Sequence, residues 1–169
     1  MAGALAATGW RLERLVIGGP DHAQVAALAA APTFALRKLE ISRSDLGPAA
    51  LRELAAAPWP LETVTFNGWI HPGDECGPPL AALSRHAGMR ELVLDFINLG
   101  PRAMRALVDA EWPALTKFVL DLDRGGEDDD FGFLRLSPTS FAGFPRLETL
   151  HLLRVWLGVE GARALVARP

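Results

Sequence analysis

Apolar positions in this chain recur in two alternating rhythms. Short stretches of the form L-x-x-L-x-L predict strands with one buried face, because residues two apart share a face of a strand. They begin at Leu12 (LERLVI), Leu36 (LRKLEI), Leu61 (LETVTF), Met89 (MRELVL), Leu115 (LTKFVL) and Leu147 (LETLHL), at intervals of 24, 25, 28, 26 and 32 residues by subtraction. Stretches with helical spacing lie between them. Ala50, Leu51 and Leu54 fall on one helical face, and Pro48 stands at a first helical turn, where proline is tolerated. The same signal reads LGPAALREL from Leu46, LGPRAMRAL from Leu99 and LGVEGARAL from Leu157. A third signal precedes several strands, in Trp59-Pro60, Trp112-Pro113 and Phe144-Pro145. Three signals in constant order mark an internal repeat of one strand and one helix.

The units vary. The first predicts a helix over about 22–31, opened by a capping box of Asp21 and Gln24. The third replaces its turn with a proline- and glycine-rich loop, NGWIHPGDECGPP from Asn67, and leaves a short helix over about 80–86. The fifth carries an acidic loop, DLDRGGEDDD from Asp121, and then a short helix near 138–142. ALAATGWRL from Ala4 aligns with ELAAAPWPL from Glu53, so the chain opens inside one unit, and RALVARP closes at the edge of another. No polar capping repeat is evident. The expectation is a single domain of about six units over 1–169, either a segment of a longer array, which is favoured, or a unit whose end face meets a partner, with end-to-end association open to it.

On these residues the chain resembles leucine-rich repeat proteins, closest to the ribonuclease-inhibitor-like class, over nearly its whole length. The resemblance implies an α/β solenoid with parallel strands on the concave face and helices on the convex face. One strand and one helix cannot bury their own apolar faces, whereas stacked units share a core. The family pattern continues to an asparagine eight residues after the first leucine. Here that slot holds Pro20, Ser44, Trp69, Ile97, Asp123 and Val155. Without an asparagine ladder the turn backbone needs other partners, and less regular turns are expected.

Composition narrows the function classes. Formal net charge is −3, so no general nucleic-acid footprint is expected. The single cysteine, Cys76, rules out an internal disulfide and a multi-cysteine metal site. No apolar run approaches the roughly 20 residues that span a bilayer, and the N-terminus lacks the pattern of a secretory signal. A cytoplasmic protein without membrane contact is expected. Basic residues are nearly all arginine, with Lys38 and Lys117 the exceptions, which fits a GC-rich bacterial genome.

Alternation places Arg14, Lys38, Glu40, Ser42, Thr63, Thr65, Glu91, Asp95, Lys117, Asp121 and His151 outward on the sheet, together with Val16, Val93, Val119 and Thr149. Early strands contribute Arg14, Lys38 and Arg43, later ones Glu91, Asp95 and Asp121. A charge-graded groove for a protein partner follows as the expectation, and reversing Arg14 and Lys38 should weaken it. Trp69 and Trp156, just past strands, are either interface anchors or plugs for the missing asparagines. Trp10, Trp59 and Trp112 are expected to pack between helix ends and strands.

Chemistry has weaker candidates. Asp121, Asp123 and Gly126 imitate part of a calcium loop, but Gly125 and Gly132 stand where ligands are needed. His71, Asp74 and Cys76 share one loop without a motif that fixes a nucleophile beside its base. Gly18-Gly19-Pro20 lacks the lysine and spacing of a phosphate loop. Arg52, Arg105 and Arg163 repeat one helical slot and read as a solubilising row. No enzymatic activity, metal or cofactor is expected. The predicted role is a protein-interaction module, either adaptor, sensor or scaffold; the alternative is a targeting or regulatory segment of a larger, possibly enzymatic protein.

Overall fold

The computed structural model describes residues 11–31, 35–68, 73–122, 140–155 and 157–166. Strands and helices alternate as β1 (Arg14–Gly18), α1 (His22–Ala29), β2 (Lys38–Ser42), α2 (Pro48–Ala56), β3 (Thr63–Asn67), α3 (Gly77–Ala81), β4 (Glu91–Ile97), α4 (Pro101–Val108), β5 (Lys117–Leu122), β6 (Thr149–Leu153) and α5 (Gly158–Val166). Single-turn 3-10 segments, Asp74–Cys76 and Ala82–Arg85, flank α3. All six strands form one parallel sheet in chain order, each paired with the next.

Each strand begins two residues after its leucine signal. The reason is a repeated backbone junction. The N–H groups of Arg37 and Lys38 both donate to the carbonyl of Glu13, at 2.8 and 2.9 Å. Glu62 and Thr63 do the same to Arg37, Arg90 and Glu91 to Glu62, Thr116 and Lys117 to Arg90, and Glu148 and Thr149 to Thr116. One carbonyl therefore serves two amides at every junction, and strand register is set before regular pairing starts.

The inward side chains Leu39, Ile41, Val64, Phe66, Leu92, Leu94, Phe118 and Leu120 are buried. They share one core with Val25, Leu28, Leu51, Leu54, Leu80, Leu83, Met104 and Leu107 from the helical side. Full burial of each large aliphatic is worth about 1.5–3 kcal/mol. Trp59 and Trp112 are buried in this core, as their recurring place before a strand predicted. Trp112 Nε1 donates to the carbonyl of Leu107 at 3.0 Å. Trp10 lies outside the described residues.

Helix ends are closed partly by neighbouring units. The capping box of α1 is present: Asp21 Oδ1 accepts from the N–H of Gln24 at 2.7 Å, and Gln24 Oε1 accepts from the N–H of Asp21 at 3.2 Å. Helices α2 and α4 begin at Pro48 and Pro101, and neither has a capping side chain of its own. At the other end of α2, buried His86 brings Nε2 to 3.1 Å from the carbonyl of Leu54 and Nδ1 to 3.1 Å from that of Trp59. Cations and N–H donors are favoured at helix C-termini, where carbonyls lack partners.

The strand-ending turns are more regular than the absent asparagines led us to expect. The N–H groups of Gly19, Arg43 and Gly68 donate to the carbonyls of Ser42, Asn67 and Asp95 at 2.7, 2.8 and 2.9 Å. A backbone ladder thus replaces a side-chain ladder. The asparagine slot turns inward, where Pro20, Ser44 and Ile97 are buried. Ser44 Oγ has no hydrogen-bond partner among the described residues. Irregularity begins later, where the β4–β5 register shifts between Leu94 and Ile97.

The helix expected near 138–142 is not formed in its described part. Residues 140–144 make turns that carry Phe141 and Phe144 into the core beside Trp112 and Phe118. Ring centroids there lie 5.2–6.3 Å apart. Gly143 donates no side chain because a Cβ would overlap the carbonyl of Ala110. Among the described residues, no helix is long and apolar enough to cross a membrane.

Candidate functional site

The sheet has one face packed on the core and one face outward. Pairing register sorts the outward side chains into rows across the strands. The first row runs Arg14, Lys38, Thr63, Glu91, Lys117, Thr149. The second runs Val16, Glu40, Thr65, Val93, Val119, His151. The third begins Gly18, Ser42, Asn67, Asp95, and ends with Asp121 beside Leu153 across the shifted register. Every described residue predicted to face outward does so, half-buried or exposed. Trp69 and Trp156 lie outside the described residues.

The expected charge gradient does not run along the whole face. Lys117 stands beside Glu91 in the first row and interrupts the acidic half. Arg14 Nη2 lies 3.7 Å from Glu40 Oε2, so part of the basic half is self-paired. Exposed pairs of this kind contribute little to stability. The middle of the face is instead short and mildly apolar, with Thr65, Val93 and Val119 adjacent in register.

Charge separates at the rim, at and just past the C-terminal ends of the strands. The residue seven after each first leucine adopts a left-handed backbone at Gly19, Arg43, Gly68, Phe96 and Arg154, with φ of 58°, 50°, 65°, 51° and 56°. In the fifth unit that residue is Leu122, which stays in β5 and is buried. Side chains at Arg43, Phe96 and Arg154 are exposed on this rim. Arg154 Nη2 lies 2.7 Å from Asp121 Oδ1, an ion-pair contact not aligned as a hydrogen bond. Its guanidinium also sits over Phe96, 4.4 Å from the ring centroid.

Asp95 completes the cluster. Partial burial raises its pKa above the ordinary carboxylate value, and the neighbouring Asp121 charge raises it further. Arg154 opposes the shift, while the hydrogen bond that a protonated Asp95 makes with Asp121 adds to it. With both carboxylates ionised, the pair carries one more negative charge than the Arg154 guanidinium at Asp121 offsets among the described residues. The outward-position rule, applied to every strand, gives Asn67 and Leu153 as well. Phe96 and Arg154 follow only from the left-handed slot, for which Gly19 and Gly68 are the sequence signal.

The loop with His71, Asp74 and Cys76 has a structural use. Asp74 Oδ1 accepts from the N–H groups of Arg102 and Ala103 at 2.9 and 3.2 Å, and so caps α4 from the preceding unit. Cys76 is buried, and its pKa is pushed up to about 11, mainly by desolvation and then by the Glu75 charge. A thiol in that state is a poor nucleophile. His71 and the acidic loop beyond Leu122 lie outside the described residues. Among the described residues, no group of three or more His, Cys, Asp or Glu could hold a metal ion. In the helical row, Arg163 Nη1 pairs with Glu160 Oε1 at 2.7 Å. No protein-family model matches the chain, and no curated protein matches it.

Proposed function

We propose that this chain is a protein-recognition module of leucine-rich repeat type. In this reading the strands line a concave face, the helices a convex one, and the partner docks on the outward side of the sheet and its rim. The observation that carries it is the outward face of the six-stranded parallel sheet, which no described helix covers. Parallel sheets ordinarily have both faces covered, and among the described residues helices pack on one face alone, the other presenting mixed polar, charged and β-branched side chains in register. The module works by binding, without chemistry of its own, as adaptor, sensor or scaffold in the cytoplasm.

Site-specific photo-cross-linking tests this. A benzophenone side chain placed at Thr65 should yield adducts of defined mass in source-cell lysate. The same group at exposed Ala49 on α2 should not. Equal adducts at both positions, or none at Thr65, refute the reading.

A further inference from the structure

Resting on the recognition reading above, we infer that the rim past the strand ends selects a partner segment with a carboxylate and a basic side chain about 10 Å apart. The carboxylate would meet Arg43, and the basic group the Asp95–Asp121 pair beside Phe96. The span is set by the sheet: Arg43 N–H bonds to the carbonyl of Asn67, and Gly68 N–H to that of Asp95, so Asp95 lies two strands from Arg43, with Asp121 on the strand beyond. Neighbouring strands are spaced by about 4.8 Å.

Charge balance gives each end its sign. Among the described residues, Arg43 has no acidic group within ion-pair distance. At the other end Arg154 contacts Asp121, and among the described residues the ionised pair keeps a surplus negative charge. Arg154 already occupies the face of Phe96, so the partner's basic group would meet Asp95 and not that ring face. Gly68 lies between the two ends and presents no side chain; a Cβ there would sit 3.9 Å from Arg43 Cγ. The partner's backbone can therefore approach closely between the charges. An extended segment advances about 3.3 Å per residue, so acid and base should stand two to four residues apart.

An array of synthetic decapeptides tests this. Each carries one glutamate and one lysine, one to seven residues apart and in both orders, in an alanine-glycine background. Fluorescence anisotropy reads binding by the full chain at low salt. Peptides spaced by two to four residues, in one order, should bind at least tenfold more tightly than those with glutamine in place of either charge. Salt should weaken binding, since exposed charges are screened. Arg43→Gly should lose the preference while folding normally, because glycine suits φ of 50° without strain. Asp95→Asn should lose it at the other end. A spacing-independent response, or binding unchanged in both variants, overturns the inference. No peptide binding, with Thr65 adducts still formed in lysate, overturns it and leaves the recognition reading standing.

Discussion

The cap on α4 is borrowed from the preceding unit, and that can be measured. Gly100 occupies the N-cap and has no side chain to offer, so Asp74 Oδ1 alone serves the N–H groups of Arg102 and Ala103. Losing a capping side chain costs about 1 kcal/mol. Losing its negative charge at a helix N-terminus accounts for about 0.3–1 kcal/mol. Asp74→Ala should therefore destabilise by about 1–2 kcal/mol. Asp74→Asn keeps the acceptor and should cost only the charge part. For a chain of this length, 1 kcal/mol corresponds to about 2–4 °C in Tm.

Gly100 provides an independent check on the same contact. Its φ of −70° suits any residue, so glycine is needed there for space. A Cβ would overlap Asp74 Oδ1. Gly100→Ala should thus push the cap off in the wild type, yet remove nothing further from the cap in the Asp74→Ala background. Urea unfolding of the four proteins closes a double-mutant cycle, with an expected coupling of about 1 kcal/mol. A coupling below about 0.3 kcal/mol, with Asp74→Ala as stable as wild type, would refute the argument that units are tied through this cap.

Three further outcomes are expected. Cys76, buried with its pKa pushed up to about 11, should resist a thiol reagent at pH 8 in the native protein and react once urea unfolds it; fast native labelling contradicts its placement. For Asp95 the folded pKa lies above the unfolded one, so the folded state binds the proton more tightly, and stability falls as pH rises from the ordinary carboxylate range through the raised value. Asp95→Asn should remove that loss, and a stability difference from wild type that does not change between pH 3 and pH 7 contradicts it. Ser44→Ala deletes a buried hydroxyl without a partner among the described residues, so it should raise stability by up to about 1 kcal/mol or leave it unchanged; a loss above about 1 kcal/mol in urea unfolding means that the hydroxyl is bonded.

Strand positions and outward rows were legible because their signal is local. Alternation over five residues fixes which side of a strand each residue takes, and the leucine spacing repeats that rule six times. The cap by Asp74 and the C-terminal contact of His86 were not legible, since each joins residues 27–32 positions apart. The described part of the helix expected near 138–142 departed from that form because Phe141 and Phe144 fill that part of the core from turns. The charge gradient was overdrawn for a different reason. Sequence alternation gives facing and not pairing, so it could not show Arg14 turned to Glu40, or Arg154 drawn from the end of β6 onto Asp121 and Phe96.

The left-handed slot ties fold and proposed function together. The turns after four strands and the irregular end of β4 need positive φ, and glycine meets that need without steric cost at Gly19 and Gly68. Arg43, Phe96 and Arg154 meet it against a penalty of roughly 1–2 kcal/mol each. The inward side of the turn gains nothing from them, because their side chains are exposed. What they add is at the rim: an arginine without an acidic partner among the described residues, an aromatic ring, and a guanidinium holding one of two carboxylates. On the proposed reading, strain is held by residues whose side chains serve no core contact because they serve recognition, and a glycine in their place would steady the turn and remove the side chain offered to the partner. Stability and binding should therefore move in opposite directions at Arg43, and together at Asp74, where the side chain serves the fold alone.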